Sequence, residues 1–136
     1  MTLFQIVALY TAIHLIILPI LMFRVGQVRL SEKISLGDDG NAALLARVRA
    51  HGNYIETTPM ALIGLMAMAW MSVAPLVLHI FGSAFLIGRL AHAHGMAQKD
   101  AIGKGRTLGA VLTLLTFLGT GITLLYTLFY AIFVGG

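Results

Sequence analysis

Arg49, Asn53 and Glu56 stand in the stretch ARVRAHGNYIETTP at spacing i, i+4, i+7. That spacing puts a guanidinium, a carboxamide and a carboxylate on one narrow face if the segment is helical. A second set, Arg89, His92 and Met96, repeats the spacing at i, i+3, i+7 further along the chain. Two polar faces at one depth on neighbouring helices suggest one polar pocket near a membrane surface. The alternative is a buried Arg–Glu pair that only fixes helix register. Glu56→Ala harms the protein in either case, but only a pocket predicts a ligand.

The elements that must carry these residues follow from composition. The chain has 136 residues, 59% hydrophobic and 10% charged, with a mean hydropathy of +0.93. Soluble domains carry about 25% charged residues. An all-α, integral membrane four-helix bundle in a single domain, residues 1–136, is the expected fold class. The first apolar run has no basic residue before it and continues to spanning length, unlike a cleavable signal peptide. There are no cysteines, so no disulfide, thiolate metal site or protein thiol nucleophile exists, and any sulfur chemistry needs a bound molecule.

Spans are expected at about 2–23, 46–71, 76–97 and 107–134, with a polar loop from Arg24 to Gly40 that contains the turn-like GDDGN. Thr57 to Gly88 has no Lys, Arg, Asp or Glu and holds a turn at Ser72 to Pro75. Two spans need ~40 residues, so both helices must borrow from polar flanks, and Asn53, Glu56, Arg89 and His92 fall within or at the edge of the membrane. A central charge costs roughly 2.5–3.5 kcal/mol on insertion scales, so such groups face protein or a wet cavity. The nine basic residues are Arg24, Arg29, Lys33, Arg47, Arg49, Arg89, Lys99, Lys104 and Arg106. With four spans all lie on the side of the first and third loops, which predicts that side as cytoplasmic and both termini outside.

RAHGNYIETTP resembles the second-helix signature of the MAPEG family, the membrane-associated proteins in eicosanoid and glutathione metabolism. The matching positions are Arg49, Asn53, Glu56 and Pro59. GQVRL at Gly26 to Leu30 is similar to the first-helix end of a prostaglandin synthase of the family, GRLAH at Gly88 to His92 to that enzyme's third-helix motif, and Arg106-Thr107 to the family's Arg-Ser pair opening the fourth helix. The likeness covers about residues 10 to 115 and suggests a divergent, bacterial-type member of an inner (plasma) membrane. It implies a homotrimer that binds glutathione between subunits near the cytoplasmic side. Arg29, Arg49, Asn53, Glu56, Arg89 and His92 are the implied cofactor-binding residues, and Arg106 and Arg29 the implied catalytic ones.

The chemistry of glutathione suits those residues. An arginine can take a carboxylate in a bidentate pair, Glu56 the ammonium or an amide, and Asn53 both donates and accepts. A free thiol has a pKa of ~8.5, and a nearby cation favours the nucleophilic thiolate. The implied function is a glutathione-dependent transferase or peroxidase acting on small apolar electrophiles or hydroperoxides taken from the bilayer. A non-catalytic protein that binds a lipid or partner through the same cluster is the alternative. Two positions depart from the family pattern. Gly52 stands where a prostaglandin synthase of the family has a further arginine, and Met96 where members often have tyrosine.

The remaining features have structural readings. Thr113, Thr116, Thr120, Thr123 and Thr127 form a stripe, with Gly109, Gly119 and Gly121 nearby, suited to helix packing. His14 and His79 belong to no clear ligand pair, so no metal is expected. Trp70, Tyr126 and Tyr130 suit the outer aromatic belt. No nucleic-acid signature is present, and a pI near 9.9 reflects a basic cytoplasmic face that attracts anionic lipid.

Overall fold

The computed structural model describes residues 1–97 and 103–135. Lys99, used above for topology, lies outside the described residues. Four helices follow in order: α1 Leu3–Glu32, α2 Ala42–Trp70, α3 Pro75–Met96 and α4 Lys104–Phe133. The chain is an all-α four-helix bundle, and α1, α3 and α4 are long and apolar enough to cross a membrane. α2 is not among those three, because its first half carries Arg47, Arg49, His51, Asn53 and Glu56.

α1 opens with a reciprocal cap. The Gln5 N–H donates to Thr2 Oγ1 at 3.2 Å and the Thr2 N–H to Gln5 Oε1 at 2.8 Å. The helix runs through Pro19 and does not stop at Phe23, so the loop expected from Arg24 is corrected: residues 24–32 are helical. Hydropathy reports where the oil ends, whereas a helix ends where its backbone finds another partner. That happens at Lys33, whose left-handed φ of 56° turns the chain so that the next N–H, of Ile34, also returns to the Arg29 carbonyl, at 3.0 Å. Gly37 and Gly40 follow at φ of 65° and 73°, and Asn41 Oδ1 caps α2 by accepting from the Leu44 N–H at 3.0 Å. The turn read at Ser72 to Pro75 separates α2 from α3, with Ser72 at φ 57° and Pro75 as the first residue of α3.

Each of α2 and α3 touches the other three helices, whereas α1 and α4 do not meet among the described residues. The section is a rhombus with α2 and α3 across its short diagonal. The α3–α4 contact is the closest, because a strip of glycines allows backbone to meet backbone. A Cβ on Gly109 would stand 2.5 Å from the Gly88 carbonyl oxygen, and one on Gly105 2.8 Å from that of Ala91. Thr113, Thr116 and Thr120 are buried on the same face, as the packing reading of the threonine stripe requires. The apolar core at the end that holds the N-terminus joins Ile6, Val7 and Tyr10 to Leu65, Met68 and Leu78. Leu15, Ile16, Leu118, Ile122 and Leu125 project outward, the arrangement expected where lipid is the solvent.

Candidate functional site

A groove of about 980 Å³ opens at the basic end, along α2 and against the last turn of α3 and the first of α4. Its walls include Arg49, Asn53 and Glu56 from α2, His92 and Met96 from α3, and Arg106 from α4. Arg49 and Glu56 are exposed, while His92 and Met96 are each only 7% exposed. The helical spacing thus brings the α2 triplet together on one accessible face, as the periodicity requires. Arg106 arrives there because α3 ends against α4 at a glycine: a Cβ on Gly95 would overlap the Arg106 backbone nitrogen.

Two residues of the expected set stand elsewhere. Arg29 lies at the end of α1 and lines none of this groove. Its Nη1 donates to the Gly37 carbonyl at 3.0 Å, with longer approaches to the Ile34 and Ser35 carbonyls, so it ties down its own loop. Arg89 is 1% exposed and lies behind the groove. Its Nη2 donates to Asn53 Oδ1 at 2.7 Å, and its Nη1 to Thr113 Oγ1 at 3.0 Å and Thr57 Oγ1 at 3.3 Å. The α2 partners of the buried arginine are therefore the Asn53 amide and the Thr57 hydroxyl and not Glu56. The register-fixing Arg–Glu pair considered from sequence becomes an Arg–Asn bond, with the glutamate left facing the groove.

The buried node has consequences for the groove. A guanidinium can only donate, so it fixes the Asn53 carboxamide with its oxygen inward. What Asn53 can then offer a ligand is its Nδ2 donors. Thr57 Oγ1 donates to the Asn53 carbonyl at 2.7 Å and Thr113 Oγ1 to the Gly109 carbonyl at 2.8 Å. Both hydroxyls thus spend their proton on helix carbonyls and turn a lone pair to Arg89. Thr57 and Thr113 were not singled out from sequence as Arg89 partners. The signal for Thr113 was its place in the threonine stripe, while Thr57 had none beyond standing four residues after Asn53. Arg47, also at the groove, donates to the Arg24 carbonyl at 3.0 Å and pins α1, two turns before its end, to α2.

The groove's charged lining is three arginines, Arg47, Arg49 and Arg106, against one carboxylate, Glu56. Such a surface favours a ligand with more acidic than basic groups but carrying both. His92 lines the groove, and its Nδ1 is buried without a hydrogen-bond partner among the described residues. Gly52 also lines the groove, and a Cβ there would meet nothing within 4 Å. No group of three or more His, Cys, Asp or Glu able to hold a metal occurs among the described residues.

The four-helix architecture and this polar face define the class of protein. The family model of the MAPEG family matches residues 7–131, and the chain belongs to that family. Among curated proteins it is similar to the inner membrane protein YecN of Escherichia coli K12. The two are 31% identical over 92 residues, which is 68% of this chain and 70% of that protein. The same-named protein of the O6:H1 strain CFT073 matches over the same extent. No solved structure matches the chain significantly.

Proposed function

We propose that this protein is a glutathione-dependent transferase or peroxidase of a bacterial inner membrane, working as a homotrimer with its basic end in the cytoplasm. The observation that carries the reading is the joint exposure of Arg49 and Glu56 on one groove wall, with Asn53 between them and Arg106 opposite. Both signs of charge are needed for a molecule with two carboxylates and one ammonium. Arg49 takes a carboxylate in a bidentate pair, Glu56 the ammonium, Asn53 Nδ2 a ligand carbonyl, and His92 a further polar contact. The open side of the groove suits completion by a neighbouring copy, and exposed charges within a membrane helix need such cover. Arg29 reaches a groove only as that neighbour's contribution.

Bound glutathione supplies a thiol, the nucleophile that a chain without cysteine lacks. Arg106 holds positive charge at the groove wall, which favours the thiolate over the thiol. The apolar helix surfaces beside the groove admit an electrophile or hydroperoxide dissolved in the bilayer. Calorimetry on the detergent-solubilised protein tests the reading. Saturable glutathione binding should be lost in Arg49→Ala and weakened in Glu56→Gln. Absence of binding at ~10 mM glutathione, far above the usual range for specific ligands, with the oligomer intact, would sink it. The MAPEG fold would then serve a non-catalytic lipid- or partner-binding role.

A further inference from the structure

A second cavity lies between α1 and α2 and shares no lining residue with the groove. Its volume is about 300 Å³, and Leu15, Leu18, Ile55, Pro59 and Leu62 make most of its wall. Three residues with polar atoms also line it: His14 at 2%, Tyr54 at 1% and Thr58 at 7% exposed. His14 and Thr58 each carry a buried atom without a hydrogen-bond partner among the described residues: His14 Nε2 and Thr58 Oγ1. Two such orphans beside one apolar crevice are costly in a bilayer, where no bulk water can serve them. Most other threonines of these helices avoid that cost. Thr57, Thr113, Thr116, Thr123 and Thr127 all donate to a carbonyl four residues back.

Tyr54 OH meets His14 Nδ1 and also lies 3.4 Å from the His14 carbonyl. The phenol has a single proton, so Nδ1 either receives it or donates to the phenol oxygen. His14 Nε2 is a donor in the first case and an acceptor in the second, and the Thr58 hydroxyl can act as either. A ligand hydroxyl both donates and accepts, so it serves the pair in either tautomer.

We propose that this crevice binds a lipid-soluble alcohol or phenol, its hydroxyl bonded to both His14 Nε2 and Thr58 Oγ1, its apolar body against Leu18, Ile55 and Leu62. A lone water does not fill the role: the cavity is about ten times a water's share of liquid volume, and its wall is apolar. The space suits a body of roughly ten heavy atoms, at the lower end of small-molecule sites. The two orphan atoms have no exposed surface, so the hydroxyl reaches them only as side chains of the wall move aside.

Photolabelling with a diazirine-bearing octanol, mapped by mass spectrometry, tests the proposal on the full-length detergent-solubilised oligomer. The expected label falls on 15–18 and 55–62, saturates, and is competed by 1-octanol but not by octane. Thr58→Val and His14→Phe should each weaken competition by about tenfold, the worth of one hydrogen bond of ~1.4 kcal/mol. Thr58→Val conserves shape and keeps the test valid if His14→Phe does not fold. Arg49→Ala should leave labelling unchanged, which separates this site from the groove whatever the fate of the glutathione reading. Unsaturable label spread over all outward-facing helix surfaces would overturn the proposal. So would equal competition by octane, or affinity unchanged in Thr58→Val.

Discussion

Two arginines near one helix face have opposite circumstances. Arg89 is 1% exposed and donates to side chains on both α2 and α4, whereas Arg49 is exposed on a groove wall. Asn53 stands between them, with its oxygen given to Arg89 and its edge in the groove. A charge whose donors the chain itself satisfies is part of the architecture. A charge one to two turns away left facing a cavity is disposed to meet something else. The two sets are layers of one device, in which the buried arginine orients the amide that the groove presents.

The largest expected effect removes both layers together. Gly109→Leu drives a side chain into the Gly88 carbonyl and the His92 backbone, where backbone must yield. The α3–α4 contact carries Thr113 to Arg89 and Arg106 to the groove. Loss of well above ~3 kcal/mol is expected for overpacking against backbone, read as failure of the solubilised protein to survive size-exclusion chromatography.

Next in size is the buried layer alone. Asn53→Leu leaves a buried guanidinium without its shortest partner, worth about 3–5 kcal/mol by analogy with a broken buried pair. Arg89→Met should cost less, about 1–3 kcal/mol. Thr57 and Thr113 keep their carbonyl partners, and only Asn53 Oδ1 is orphaned. Thermal unfolding of the two single variants and the double variant closes a cycle. The double variant should be less destabilised than the sum. Strict additivity would mean that the 2.7 Å bond does not couple the helices.

How far sequence reaches is visible in the same residues. The i, i+4, i+7 face was legible because helical geometry is local, and so was the turn at Ser72 to Pro75, where proline cannot continue a preceding helix hydrogen bond. The adjacency of Arg89 to the α2 face was legible because both helices had to borrow polar flanks. The depth of Arg89 was not: Asn53, Thr57 and Thr113 come from separate segments, and only packing sets which arginine they enclose. The end of α1 was misread because oil and helix stop for different reasons, with Arg24 to Glu32 extending beyond the apolar run as helix. Arg29 stands at the end of α1 as expected, but its side chain meets loop carbonyls five to eight residues on and not the groove of its own chain. The orphan atoms at His14 and Thr58 left no trace in the pattern at all.

The exposed layer should respond in ligand and not in stability. Arg49→Ala and Glu56→Gln should each change unfolding by under ~0.5 kcal/mol, as surface substitutions do, while glutathione binding falls at least tenfold. A stability loss as large as that of Asn53→Leu would erase the distinction between the two layers.

Gly52→Arg is expected to disturb the fold least and to sharpen the contrast most. Gly52 lies within α2, where glycine costs roughly 1 kcal/mol relative to alanine, and a Cβ at this position meets nothing within 4 Å. An arginine therefore fits on helical grounds and should raise stability slightly, by under ~1 kcal/mol. Its guanidinium enters a groove already rich in Arg47, Arg49 and Arg106. If the groove selects anions by charge, glutathione should bind several-fold tighter, and the gain should shrink as salt screens it. A salt-insensitive gain would point to a new hydrogen bond instead. Unchanged affinity would place the limit in the geometry of Arg49 and Asn53, so that the ligand is held by the layer Arg89 orients and not by the groove's net charge.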